Sequence, residues 1–316
     1  MSDHGEHTAP GTVRIERVLP GPIDRVWAHL TESDKRARWF AGGDMELRVG
    51  GSVTLRFDHA SLSHEEETPA RWKGAEGHVS HGRITRCEPP RLLAFIWGEG
   101  DDASEVTFEL TPRGADVLLV LTHRRLPSRG EIVGVAGGWH AHLEVLRAVL
   151  AGEEPPGFWS LVLRLDAEYQ ARVPNVLVVR VARRFAASAE RVFDAFLDPA
   201  LASKFLFATP GGTMVVAEVD ARVGGAFTFT ERRAGVEVEH SGTYLEIDRP
   251  RRLVFAFAVT GAPDATKVAI DLTPLDDGGS ELVLTHELPP DAADFRERTT
   301  AGWTSILDHL ATTVGG

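Results

Sequence analysis

One cysteine, Cys87, stands in 316 residues. A lone thiol excludes a disulfide within the chain and a thiolate metal cluster, and its place in the stretch Ile84 to Cys87 predicts a small core residue. No apolar run approaches the roughly 18 residues that a membrane span needs. Residues 1–12 lack the basic start and apolar stretch of a signal peptide, so they read as a disordered tail on a cytoplasmic protein. Four catalytic signatures are also missing: a Gly-x-Ser-x-Gly elbow, a phosphate-binding Gly-rich loop, a dinucleotide fingerprint and a zinc-binding His-Glu-x-x-His. Positive charge is in short supply, with 34 Lys and Arg against 46 Asp and Glu and a net charge of −12. Acidic residues are spread over both halves, and such a surface repels a phosphate backbone, which argues against a nucleic-acid partner.

What the chain does contain, it contains twice. Leu47-Arg48-Val49-Gly50-Gly51-Ser52-Val53-Thr54-Leu55 returns as Ala221-Arg222-Val223-Gly224-Gly225-Ala226-Phe227-Thr228-Phe229. A Gly-Gly pair leading into alternating apolar residues signals a β-hairpin whose turn needs positive φ. Gly82 to Phe95 matches Gly242 to Phe255, Val106 to Pro112 matches Val268 to Pro274, and Leu121-Thr122-His123 matches Leu284-Thr285-His286. Gly138-Trp139 likewise matches Gly302-Trp303. The length itself favours two domains. The expected division is 1–12 as tail, 13–150 as a first domain, 151–175 as a connector with a short helix, and 176–316 as a second domain.

Each copy reads as a strand, two short helices, about six antiparallel strands and a long terminal helix. Ile23, Val26, Trp27 and Leu30 make one helical stripe. Asp198-Pro199 starts a helix with an acceptor at its N-cap and proline in its first turn. The first copy has additional residues around 59–77, including Glu65-Glu66-Glu67-Thr68-Pro69 and Trp72. This loop reads either as a solvated excursion or as a lid or partner-contact loop anchored by Trp72. In the connector, Phe158 and Trp159 are expected to dock against one domain.

An antiparallel sheet with one apolar face has only the long helix to cover it, and a curved sheet on one helix can leave a cavity. The phrases Arg48-Val-Gly-Gly, Gly82 to Phe95 with its Pro-Pro-Arg-Leu, Leu121-Thr-His and Gly138-Trp139 resemble the family of the activator of Hsp90 ATPase homologue 1, within the START-like (helix-grip, SRPBCC) superfamily. The resemblance covers nearly the whole chain, twice. It implies an α+β fold of two tandem helix-grip domains, each a curved antiparallel sheet wrapped on a long C-terminal helix, with an apolar pocket between them. That superfamily includes lipid carriers, hormone receptors, polyketide cyclases and co-chaperone domains, and fold alone does not select among them.

The expected pocket is lined in the first domain by Phe95, Trp97, Phe108, Leu119, His123, Trp139 and Leu143. In the second it is lined by Phe255, Phe257, Ile270, Leu284, His286, Trp303 and Leu307. His123 and His286 each end a strand in phase with its core-facing residues, so each either faces the pocket as a ligand contact or general base, or sits at the rim, solvated or hydrogen-bonded to backbone. His140 and Glu144 share a helical face but are too few for a metal, and His59, His64, His78 and His81 are not spaced for one, so no metal or other cofactor is expected. Non-enzymatic binding of a small apolar or amphipathic ligand is the leading expectation. The alternatives are a chaperone-linked or stress-response protein that meets a partner through the 59–77 loop, and a cyclase or hydrolase using a pocket histidine. The two copies are expected to be able to pair about a pseudo-twofold within a monomer.

Overall fold

The computed structural model describes residues 4–62, 68–75, 77–100, 103–261 and 265–315. The chain divides into two compact units, Met1–Pro174 and Asn175–Gly316. The first runs β1 (Glu6–Ala9), β2 (Thr12–Pro20), α1 (Ile23–Thr31), α2 (Ser33–Ala37), β3 (Ser52–Arg56), β4 (Val79–Glu88), β5 (Leu92–Trp97), β6 (Ser104–Arg113), β7 (Asp116–Arg124), α3 (Arg129–Ala151) and α4 (Phe158–Arg172). The second runs β8 (Leu177–Phe185), α5 (Ala189–Leu197), α6 (Pro199–Ala202), β9 (Thr213–Val219), β10 (Ala226–Arg233), β11 (Val236–Asp248), β12 (Arg252–Val259), β13 (Thr266–Pro274), β14 (Ser280–Leu288) and α7 (Arg296–Gly315).

Each unit holds a seven-stranded antiparallel sheet, ordered β1-β2-β7-β6-β5-β4-β3 in one and β8-β14-β13-β12-β11-β10-β9 in the other. The side-chain period of two then puts Val106, Phe108, Leu119, Leu121 and His123 on one buried face, with Val106 opposite His123 across the β6–β7 ladder. The long helix covers that face. In the second unit Trp303, Leu307, Leu310 and Val314 form the buried stripe of α7, spaced at three and four residues.

The Gly-Gly pairs serve the sheet. Gly50 and Gly224 sit at φ of 80° and 79°, and a Cβ at Gly51 or Gly225 would lie 2.0 or 2.1 Å from the carbonyl oxygen of Glu46 or Asp220. Only glycine fits both positions without strain. The turn is also bonded sideways: Ile84 N–H donates to Gly51 O at 2.8 Å, and Tyr244 N–H to Gly225 O at 3.0 Å. Local capping follows the sequence equally closely, since the Asp198 carboxylate accepts from the backbone N–H groups of Ala200 and Leu201 at 2.8 and 3.2 Å.

Three local readings are corrected. Residues 1–12 are not a disordered tail throughout: Glu6–Ala9 forms an edge strand on β2. Side chains from α4 hold it, because Gly5 N–H donates to the Tyr169 hydroxyl at 2.6 Å and His4 Nε2 meets Glu168 at 2.5 Å. Cys87 is only half-buried: a register irregularity between Ile84 and Arg86 sets it opposite Leu93, on the face that Ile84 enters, but near the end of β4 where that face is less covered. The stretch around 59–77 contains two short 3-10 turns, His59–Ser61 and Ala70–Ala75, while Glu65, Glu66 and Glu67 lie outside the described residues.

The connector helix belongs to the first unit. Arg129 in the first turn of α3 donates to Gln170 O, Gln170 Oε1, Val173 O and Pro174 O at 2.6–3.1 Å, capping the C-terminal end of α4 with a cation. Phe158, Trp159, Leu161, Val162, Leu165 and Tyr169 are the buried residues of α4.

Candidate functional site

The last strand of each sheet carries a histidine to the covering helix, and there the two units build the same three-residue arrangement. In the first, the Trp139 indole N–H donates to His123 Nδ1 at 3.0 Å, and His123 Nε2 lies 2.8 Å from Ser104 Oγ. In the second, Trp303 N–H donates to His286 Nδ1 at 2.9 Å, and His286 Nε2 lies 2.8 Å from Thr266 Oγ1. An indole N–H only donates, so it fixes the tautomer: Nδ1 accepts, and the single ring proton sits on Nε2 and is donated to the hydroxyl.

Burial agrees with that assignment. His123 and His286 are 2% and 3% exposed, and the loss of hydration drives their pKa values down to about 3 and about 4. Both rings are neutral at pH 7. Neither is the solvated rim residue that was one of the expectations for this position.

Beyond this shared set the units differ. In the second, His286, Thr266 and Trp303 line a cleft of about 990 Å³ with Phe257, Phe207 and His240, and its mouth includes Phe295, Asp291 and Arg298. The Phe207 ring stacks on His240 at 4.1 Å and 7°, and Phe207 holds φ at 60°. A left-handed backbone costs a β-carbon residue about 1–2 kcal/mol, which the ring contact offsets. His240 is pulled down to about 4, by burial first and by Arg233 second, and its Nδ1 has no partner among the described residues. Beside it Glu231, 2% exposed, accepts from Thr209 N–H and Oγ1 at 2.6 and 2.8 Å and from Arg233 Nε. That buried carboxylate is thereby satisfied.

In the first unit the matching residues lie under a continuous train of rings. His123 stacks on Trp97 (5.6 Å), Trp97 on Phe57 (5.8 Å), Phe57 on His59 (5.5 Å) and His59 on Phe158 (5.3 Å). Phe158 then meets Trp159 (5.0 Å), and Trp159 meets Trp72 (5.4 Å). Phe40 lies 4.7 Å from Trp139, and His142, 4.7 Å from Phe158, is itself buried and held down at about 3 by that burial.

Of the expected pocket residues, Phe257, His286 and Trp303 line the second unit's cleft. Phe255, Ile270, Leu284 and Leu307 lie in the closed core beneath it, each at most 2% exposed. Trp97, His123 and Trp139 come together in the first unit's ring cluster, whereas Phe95, Phe108, Leu119 and Leu143 are fully packed core. The remaining candidates have other partners: His140 Nδ1 is 3.1 Å from the Tyr169 hydroxyl, Glu144 accepts from Arg17 at 3.1 Å, and His78 stacks on Phe57. No group of three potential metal ligands occurs among the described residues, and His64 lies outside them.

Sequence reasoning missed His240, Arg233 and the two hydroxyls. Ser104 and Thr266 were within reach, because each stands two residues before the matched valines Val106 and Val268 and so shares their face.

The sequence profile of the family described as activator of Hsp90 ATPase homolog 1-like protein matches residues 20–151 and again 186–315. The chain belongs to that family, twice over. A protein of Bordetella parapertussis solved by NMR is similar, with 47% identity over 54% of this chain and 91% of that one, at a TM-score of 0.48. A Chromobacterium violaceum protein shares 31% over 44% of this chain and 97% of its own, at 0.40. CalU16 of Micromonospora echinospora shares 28% over 52% and 89%, at 0.41. No curated protein matches. The fold is the helix-grip of this family, and no helix among the described residues is long and apolar enough to cross a membrane.

Proposed function

We propose that this protein binds one small, largely apolar molecule in the cleft of its second unit and does not transform it. The observation that carries this reading is the cleft itself: about 990 Å³, floored by Phe207, Phe257 and Trp303 and edged by Arg233, Asp291 and Arg298. An apolar slot with a few polar groups at its rim suits an amphipathic guest. His286 has both ring nitrogens committed, so it holds shape and hydrogen-bond direction and has no free lone pair with which to accept a proton. That counts against the cyclase or hydrolase alternative.

A chaperone-linked role through the 59–77 loop is the weaker reading. The family description names an Hsp90 activator, but Trp72, the residue best suited to anchor a partner there, packs on Trp159 of its own unit.

Gly302 supplies the test. It lines the cleft, and a Cβ placed on it meets no atom within 4 Å, so a side chain can grow into the space without a clash at its root. Native mass spectrometry of the purified full chain should show a retained small molecule, and Gly302→Phe should lose it while keeping the melting temperature. A chain that carries no adduct and takes up no apolar probe in either form contradicts the proposal.

A further inference from the structure

The hydrogen bonds beneath the cleft run in one direction. Trp303 can only donate, so His286 Nδ1 accepts, His286 Nε2–H donates, and Thr266 Oγ1 accepts. A hydroxyl that has accepted in this way still has its own proton to give. Thr266 lines the cleft, and its hydroxyl has no acceptor among the described residues. The first unit differs: Ser104 accepts from His123, and its own hydroxyl donates weakly to the Trp97 carbonyl at 3.5 Å, an acceptor within the protein. In the second unit Phe257 stands opposite Thr266 across the β12–β13 ladder, as Trp97 stands opposite Ser104, yet no bond from Thr266 to its carbonyl forms.

We infer that Thr266 is the specificity-determining residue of the cleft: it selects guests that present a hydrogen-bond acceptor oxygen, a ketone, aldehyde, ester or ether on an apolar frame, over hydrocarbons of the same shape. The inference rests on the cleft being a binding site, as proposed above, and adds the polarity of the guest. A donor held by a buried, neutral imidazole has one orientation, since turning it round would set two donors against each other. A guest with an ammonium head would meet a donor with a donor. A guest with no polar atom would leave the Thr266 proton unpaired in a largely apolar slot, and leaving such a group unmade costs more than a made bond contributes.

The experiment uses two probes of nearly equal shape, 2-acetylnaphthalene and 2-isopropenylnaphthalene, titrated calorimetrically into the full chain and into Thr266→Ser and Thr266→Val. The readout is the ratio of the two affinities within each protein. Wild type and Thr266→Ser should favour the ketone about fivefold, the worth of one neutral hydrogen bond, and Thr266→Val should bring the ratio to about one by that same loss. Equal affinities in the wild type, or a ketone preference that survives in Thr266→Val, overturn the inference and leave the binding reading standing. Failure of both probes to bind the wild type overturns the binding reading and this inference with it.

Discussion

Two indole N–H groups decide the protonation of two buried histidines, and this is the residue-scale feature that both units share. Replacing Trp303 by Phe keeps most of the ring and removes only the donor, leaving His286 Nδ1 buried and unpaired. The expected cost is about 1–3 kcal/mol, read as a lower melting temperature. The 15N shift of His286 Nδ1 should also move from its hydrogen-bonded position, which packing loss alone would not cause. The pH dependence follows from the same burial. His123, His140 and His142 are held at about 3, and His240 and His286 at about 4, against an ordinary value near 6.5. Below about pH 6.5 the unfolded chain takes up protons that the folded one refuses, so stability is intact above that pH and is lost as pH falls towards 3, by up to about 1.4 kcal/mol per pH unit for each ring. Melting temperatures should therefore hold from pH 7.5 to about 6.5 and fall steadily from there to pH 5. A flat profile would mean that these rings are hydrated or protonated in the fold. At this scale the sequence showed that His123 and His286 face the core side, because strand phase is legible. It did not show what they touch, because the Trp–His bond joins a helix to a strand and periodicity names faces, not partners.

At the scale of the element, α4 is what makes the units unlike. Its first turn delivers Phe158 and Trp159, 2% and 4% exposed, onto His59, His142 and Trp72. Phe158→Ala should cost about 3–5 kcal/mol as a large-to-small core change, and should open an apolar void in the first unit that takes up xenon or benzene. A melt shifted by that amount together with new uptake confirms the plug; unchanged uptake would mean that the neighbouring rings collapse into the gap. The breaker cluster Glu153 to Gly157 and the apolar spacing after it made this helix readable, and with it the docking of Phe158 and Trp159. That the docked rings would join the ring cluster over His123 was beyond the sequence, since the train links residues of β5, β7 and α4 with Phe57 and the 3-10 turns that follow β3, which only the tertiary fold gathers. The strand Glu6–Ala9 was illegible for a related reason. It is short and polar, and a tyrosine hydroxyl 164 residues away holds the backbone next to it. The Gly-Gly turns lie at the other extreme: their geometry is set by residues adjacent in the chain, and the sequence showed them outright.

Across the whole molecule, one fold is used in two ways. The repeat that identified two domains also tempts one to give them two equal pockets, and the structure separates them: the same Trp–His–hydroxyl set lies under stacked rings in one unit and beside a cleft in the other. The proposed function places the guest in the second unit's cleft, and the tryptophan side chains can report it. The chain has seven tryptophans, whose indole N–H signals are resolvable in a 15N-labelled sample and assignable through Trp139→Phe and Trp303→Phe. Titrating 2-acetylnaphthalene into the full chain should shift the Trp303 indole signal and leave that of Trp139 in place. A shift at Trp139, or none at Trp303, would contradict the account.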